Sequence, residues 1–150
     1  MAEHAYSTIL LYAESSEEGM RAARDAVRLA ADEDALLIIA TVIDTSTLRQ
    51  LVTFRIFIEE ERAEYEKELE ESCQKYLHYM SELAAKAGVT NRTSLLRGAG
   101  HSVILREQKA RGADLLVMGA FRASAARRDL MAHEKQLIID DIPCPVLLVR

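Results

Sequence analysis

Arg122, Arg127 and Arg128 crowd into one stretch of the chain, with Lys135 a turn or two beyond them. Guanidinium groups present fixed forks of N–H donors that match phosphate or carboxylate oxygens, so this stretch suggests an anion site. The plainer account makes the same arginines a solvated face pairing with Asp129 and Glu134, and exposed pairs of that kind add little stability. A second stretch of interest is Gly98-Ala99-Gly100-His101-Ser102. Backbone amides in a glycine-rich bend can cradle phosphate, but the third glycine of such loops is missing and the segment follows the third strand rather than the first. It reads better as a turn in which Ser102 or Gly100 caps a helix.

The other reactive residue types are dispersed. His4, His78, His101 and His133 show no helical metal-binding spacing, which speaks against a metal site. His133 stands near the arginines and Glu134, where an imidazole is placed to titrate near neutrality, although a surface histidine explains it as well. Cys73 and Cys144 are far apart and lack a C-x-x-C partner, so neither a zinc site nor a redox pair is expected and both read as buried thiols. No G-x-S-x-G elbow occurs, and Ser72-Cys73 lies inside a helical pattern. Nucleophilic catalysis therefore finds no support, and the chain reads as a non-enzyme. The acidic run from Glu59 to Glu71 sits in the same helical pattern. It reads as a solvated face supported by Arg62, Lys67 and Lys75, with a basic partner as the alternative.

The elements that must position these residues follow from apolar periodicity. Residues 7–11, 36–43, 93–96, 114–118 and 146–149 form short runs of aliphatic and β-branched residues. They are apolar nearly throughout rather than alternating, the pattern of a parallel sheet covered on both faces. Between them lie helical patterns. Ser15 is the expected N-cap of the first helix, with Glu18 three residues on to complete a capping box. Its stripe of Met20, Ala23, Val27 and Ala30 ends in Asp32-Glu33-Asp34. A long helix is expected over 57–87, stopped by Gly88, a third over 102–111, stopped by Gly112, and a fourth over 125–141, stopped before Pro143. Residues 44–56 fit neither period, yet Leu51, Val52, Phe54 and Ile56 are too apolar for a solvated loop. That connection is expected to fold over the sheet or join an interface.

The order βαβαβαβαβ predicts a Rossmann-like, doubly wound five-stranded parallel sheet with helices on both faces, an α/β/α sandwich, as one domain over residues 1–150. At 150 residues such a domain buries roughly 70% of the surface of its unfolded chain. A net charge of −5 and pI near 5.4 argue against nonspecific nucleic-acid binding, which needs a basic face. No apolar run approaches the roughly 18 residues of a membrane span, and the first residues lack a signal-peptide core, so the expected location is the cytoplasm.

Gly112-Ala113-Asp114-Leu115-Leu116-Val117-Met118-Gly119, followed by Pro143-Cys144-Pro145-Val146-Leu147-Leu148-Val149-Arg150, resembles the universal stress protein family. Ile9-Leu10-Leu11 with acidic Glu14, a second strand ending at Val42, and Gly98 before the third helix fit the same pattern. The resemblance implies a role in stress response or regulation and a homodimer formed through the last strand, 145–150. A final strand left at the sheet edge would favour such pairing. ATP-binding members are similar to one another in a loop of the form G-x-x-G, nine residues, then G-S or G-T. Laid on this chain, that loop finds Gly119, then Arg122, Ala132 and His133.

One glycine of that pattern survives. A side chain where the backbone must reach φ > 0 costs about 1–2 kcal/mol, and Arg122 adds bulk where phosphate would approach the amides. His133 replaces a hydroxyl, and Glu14 stands where the family usually has aspartate, with Tyr12 nearby. The expected nucleotide or anion positions are therefore Glu14, Val42, Gly119, Arg122, Ala132 and His133, with Arg127 and Arg128 as an alternative anion site. No cofactor is expected. The chain is expected to be a dimeric stress-response or regulatory interaction module with an unidentified protein partner and no nucleic acid. An ATP or AMP binder with slow or no hydrolysis is the first alternative, and a sensor of another anion through Arg122, Arg127 and Arg128 is the second.

Overall fold

A computed structural model of the chain describes residues 3–55, 58–121 and 126–150, without the side chains of 47, 51 and 126–131. The elements run β1 Thr8–Tyr12, α1 Glu17–Glu33, β2 Leu36–Ile43, α2 Thr45–Thr53, α3 Glu59–Lys86, β3 Asn91–Arg97, α4 Gly100–Arg111, β4 Leu115–Gly119, α5 Ala126–Asp141 and β5 Val146–Val149. Five strands form one sheet in the order β3-β2-β1-β4-β5, and every pairing is parallel. Parallel strands need crossovers, and the helices supply them on both faces.

Alternate strand residues feed two cores. Ile9, Leu11, Leu37, Ile39 and Val117 pack against the small residues of α1, including Ala22 and Ala26, and against Leu77, Met80 and Ala84 of α3. Leu10, Ile38, Leu116 and Met118 pack against Ile104 of α4 and Ile138 of α5. Ile9, Leu10 and Leu11 are all completely buried, each contributing roughly 1.5–3 kcal/mol of transfer free energy. The continuous apolar strands are thus explained by cover on both sides.

Local expectations fail in four places. The N-cap of α1 is Ser16 rather than Ser15, its side chain accepting from the Gly19 amide at 3.0 Å. The residue three beyond the cap is therefore Gly19, which cannot answer as Glu18 would. The connection 44–56 contains α2, started by Asp44, whose carboxylate accepts from both the amide and the hydroxyl of Ser46. Leu48 of α2 is buried, whereas Phe54 beyond it is 72% exposed. Neither Ser102 nor Gly100 caps α4: the cap is Ala99, without a side-chain bond. β3 is longer than expected, because at a sheet edge its first residues, Asn91 and Arg92, pair through backbone while their side chains stay polar. Gly88, at φ +76°, and Gly112, at φ +64°, follow α3 and α4 as expected.

Candidate functional site

The strand order reverses between β1 and β4, and there the carboxyl ends of neighbouring strands diverge into opposite crossovers. Such a point leaves a crevice in which doubly wound proteins hold ligands. Glu14 leaves β1 here and Gly119 ends β4. The turn after β1 is pinned: Ala13 donates to the Ala40 carbonyl, the Thr41 hydroxyl donates to the Ala13 carbonyl, and the Tyr76 hydroxyl donates to the Glu14 carbonyl at 2.7 Å.

The start of α1 is pressed into the same place. A Cβ on Gly19 would lie 2.4 Å from the Glu14 carbonyl oxygen, and one on Gly119 would lie 2.8 Å from the Gly19 nitrogen. Both are backbone contacts that cannot yield cheaply, so only glycine fits either position. Gly119 thus serves close packing of α1 against β4.

The crevice holds a cation of its own. Lys135 reaches in from α5, and its ammonium donates to Glu14 Oε2 at 2.7 Å and to the Gly119 carbonyl at 3.0 Å. The two side chains are only 6% and 10% exposed. The other Glu14 oxygen, Oε1, is buried without a hydrogen-bond partner among the described residues. Burial pushes the Glu14 carboxyl above its ordinary range, and the Lys135 charge and hydrogen bond pull it back. A lone buried carboxylate would be costly, and Lys135 offsets part of that cost.

The neighbouring residue fills a second position. Glu134 Oε2 accepts from the His101 amide, in the first turn of α4, at 2.9 Å. Helix N-termini carry free amides and partial positive charge, and here that anion position holds the chain's own carboxylate. Gly100 lies beneath this contact, where an added Cβ would sit 3.5 Å from the Tyr12 hydroxyl and 3.8 Å from Glu134 Oε2. Burial first, then the charges of Glu14, Asp44 and Glu134, push the Tyr12 phenol far up, so it stays protonated. His101 also meets Asp141, Nε2 to Oδ2, at 2.8 Å.

Of the positions named from sequence, Glu14 and Gly119 are brought together, and Val42 lies half-buried on β2. Ala132 is half-buried and His133 exposed on α5. Arg122 lies outside the described residues, as do the side chains of Arg127, Arg128 and Asp129. Sequence reasoning missed the roles of Lys135 and Glu134. A signal for Lys135 existed: it shares the buried face of α5 with Ile138, a face continued by Ile142 just past the helix, and a charge on such a face needs a partner. Among the described residues no group of histidines, cysteines and acids is placed to hold a metal ion. Cys73 and Cys144 are half-buried rather than fully buried, and desolvation raises both thiols. On α3, Arg62 pairs with Glu59 and Glu66, and Arg97 of β3 pairs with Glu66 and Glu70. The acidic run is therefore partly neutralised by its own chain.

Parallel strands in this order, with an acid and a glycine meeting at the reversal, define a doubly wound α/β protein of the kind whose ligands lie beyond the carboxyl strand ends. Residues 5–150 match the sequence profile of the universal stress protein family, and the chain belongs to that family. It is 31% identical over 147 residues to a candidate universal stress protein of Staphylococcus epidermidis, covering 97% of this chain and 84% of the relative. Among solved structures, a universal stress family protein from Burkholderia pseudomallei superposes with a TM-score of 0.73 at 20% identity, covering 96% of each chain. A universal stress protein in complex with cAMP superposes with a TM-score of 0.70 at 22% identity, covering 97% of this chain and 98% of the other. These likenesses share the Rossmann-like fold described above.

Proposed function

We propose that this chain is a dimeric regulatory module of the universal stress protein family, acting through protein partners rather than on a substrate, and that it does not hold ATP through the family's glycine loop. The observation that carries this reading is Lys135, seated on Glu14 and the Gly119 carbonyl inside the crevice. A triphosphate brought to Gly119 would meet an ammonium already committed to a buried carboxylate. Separating them would leave Glu14 unpaired, which is the costly way to break a buried pair. Glu134 meanwhile holds the amide that an anion would use on α4.

The dimer reading rests on β5. Within the described sheet β5 pairs only with β4 and forms one edge, and its Leu147 and Leu148 are 39% and 40% exposed. An unprotected apolar edge is a template for another strand, and a second copy of β5 would satisfy it symmetrically. Leu147→Lys/Leu148→Lys is expected to convert the dimer to monomer in sedimentation velocity, because paired copies would bury four added charges. An unchanged dimer would place the interface elsewhere.

Mass spectrometry of gently purified protein, first native and then denaturing, tests the whole reading. The expected result is a mass of two chains with no small molecule released on denaturation. Release of an adenosine phosphate, the class of ligand held by the cAMP-bound neighbour, would replace this reading with that of a nucleotide binder.

A further inference from the structure

On the sheet face covered by α1 and α3, the two helices leave a groove of about 370 Å³ between them. Half-buried Met20 and Val27 of α1 and Leu83 of α3 supply its apolar surface over the buried Met80, and Arg24, Arg28 and Asp32 stand along the α1 wall. The α1 wall runs from Met20 to Asp32, about 18 Å at 1.5 Å per residue. That is the length of a helix of three turns or more.

The charge pattern distinguishes occupants. Arg24 and Arg28 are exposed, one turn apart on the same wall, and among the described residues neither has a hydrogen bond or ion pair. Arg97 of β3, by contrast, is paired with Glu66 and Glu70. In a chain of net charge −5, two unengaged guanidinium groups beside an apolar groove favour carboxylates one turn apart. A basic helix would be repelled there, and a short amphiphile would engage one arginine and leave half the groove empty. Methionine surfaces adapt to varied apolar side chains, and two parallel helices present the groove into which a third can lie.

We propose that this groove docks an acidic amphipathic helix of a partner protein. Its apolar stripe would lie on Met20, Val27 and Leu83, and two of its carboxylates would pair with Arg24 and Arg28.

The test uses the full chain and a fluorescent synthetic helix built from Leu-Glu-Glu-Leu-Leu-Glu-Glu heptads, with a second helix carrying Lys at every Glu position. Fluorescence anisotropy should show saturable binding of the acidic helix, weakened about tenfold or more by Arg24→Gln/Arg28→Gln, because desolvated charge pairs set the complementarity. The charge-matched variant Arg92→Gln/Arg106→Gln, at exposed positions away from the groove, should leave binding unchanged, and the lysine helix should bind far more weakly. Three results would overturn the proposal: no binding of the acidic helix, equal loss in both variants, or equal binding of the lysine helix. Self-association of the free chain that disappears in Arg24→Gln/Arg28→Gln would also overturn it, by giving the groove to a second copy.

Discussion

Lys135→Met is expected to lower stability by about 3–5 kcal/mol at neutral pH, because it leaves Glu14 buried without its partner. Both side chains are nearly inaccessible, so water screens little of the loss. The double variant Glu14→Met/Lys135→Met should recover most of it, since replacing a whole buried pair by apolar residues of similar volume is often neutral or better. The pH dependence has a definite sign. Burial already raises the Glu14 carboxyl, with Lys135 opposing, and the single variant removes that opposition. A carboxyl whose folded pKa lies above its unfolded value contributes stability below the unfolded pKa, and that stability is lost as pH rises through the folded pKa. Urea denaturation should therefore show Lys135→Met losing stability between about pH 5 and about pH 8 more steeply than the wild type. A variant as stable as the wild type at both values would mean that the pair does not hold the crevice together.

Gly19→Ala is the second large effect, and its sign is the informative part. In an exposed helix the change would stabilise by about 1 kcal/mol through helix propensity. Here the added Cβ would lie 2.4 Å from the Glu14 carbonyl oxygen, and overpacking of this kind costs about 1–3 kcal/mol. A net loss is expected in thermal denaturation, because the contact is with backbone that the Tyr76 hydroxyl also holds. Gly100→Ala makes the matched control: its Cβ would meet the Tyr12 hydroxyl at an ordinary 3.5 Å, so its effect should stay within about 0.5 kcal/mol. Equal effects at the two positions would contradict the packing described for the turn after β1.

Much of this architecture is written locally, and the exceptions have physical causes. The central strands β1, β2 and β4 are legible because cover on both faces demands continuous apolar runs. At the edge, β3 begins with polar residues that only its pairing with β2 recruits. Helix α2 escapes notice because Thr45, Ser46, Thr47 and Thr53 are weak helix formers. The cap of α1 falls on Ser16, which places Gly19 three residues beyond it, where the close Glu14 carbonyl leaves no room for a Cβ and so for a capping-box glutamate.

The site divides in the same way. Glu14 and Gly119 could be named from the family pattern, and the β1–β4 pairing brings them together. Lys135 was legible only as a charge on an apolar stripe. Glu134 carried no local signal, since its role depends on α5 lying beside the start of α4. Two successive residues of one helix thus answer two electrostatic demands of the crevice, the acid of β1 and the free amide of α4.

Thermal melting of the wild-type protein across a titration of ATP with Mg²⁺ probes most directly whether the crevice is filled from within. A receptive site would be stabilised by about 2.7 kcal/mol once ligand reached a hundredfold excess over its Kd. The seated ammonium predicts a flat response throughout; a saturating rise in melting temperature would contradict it.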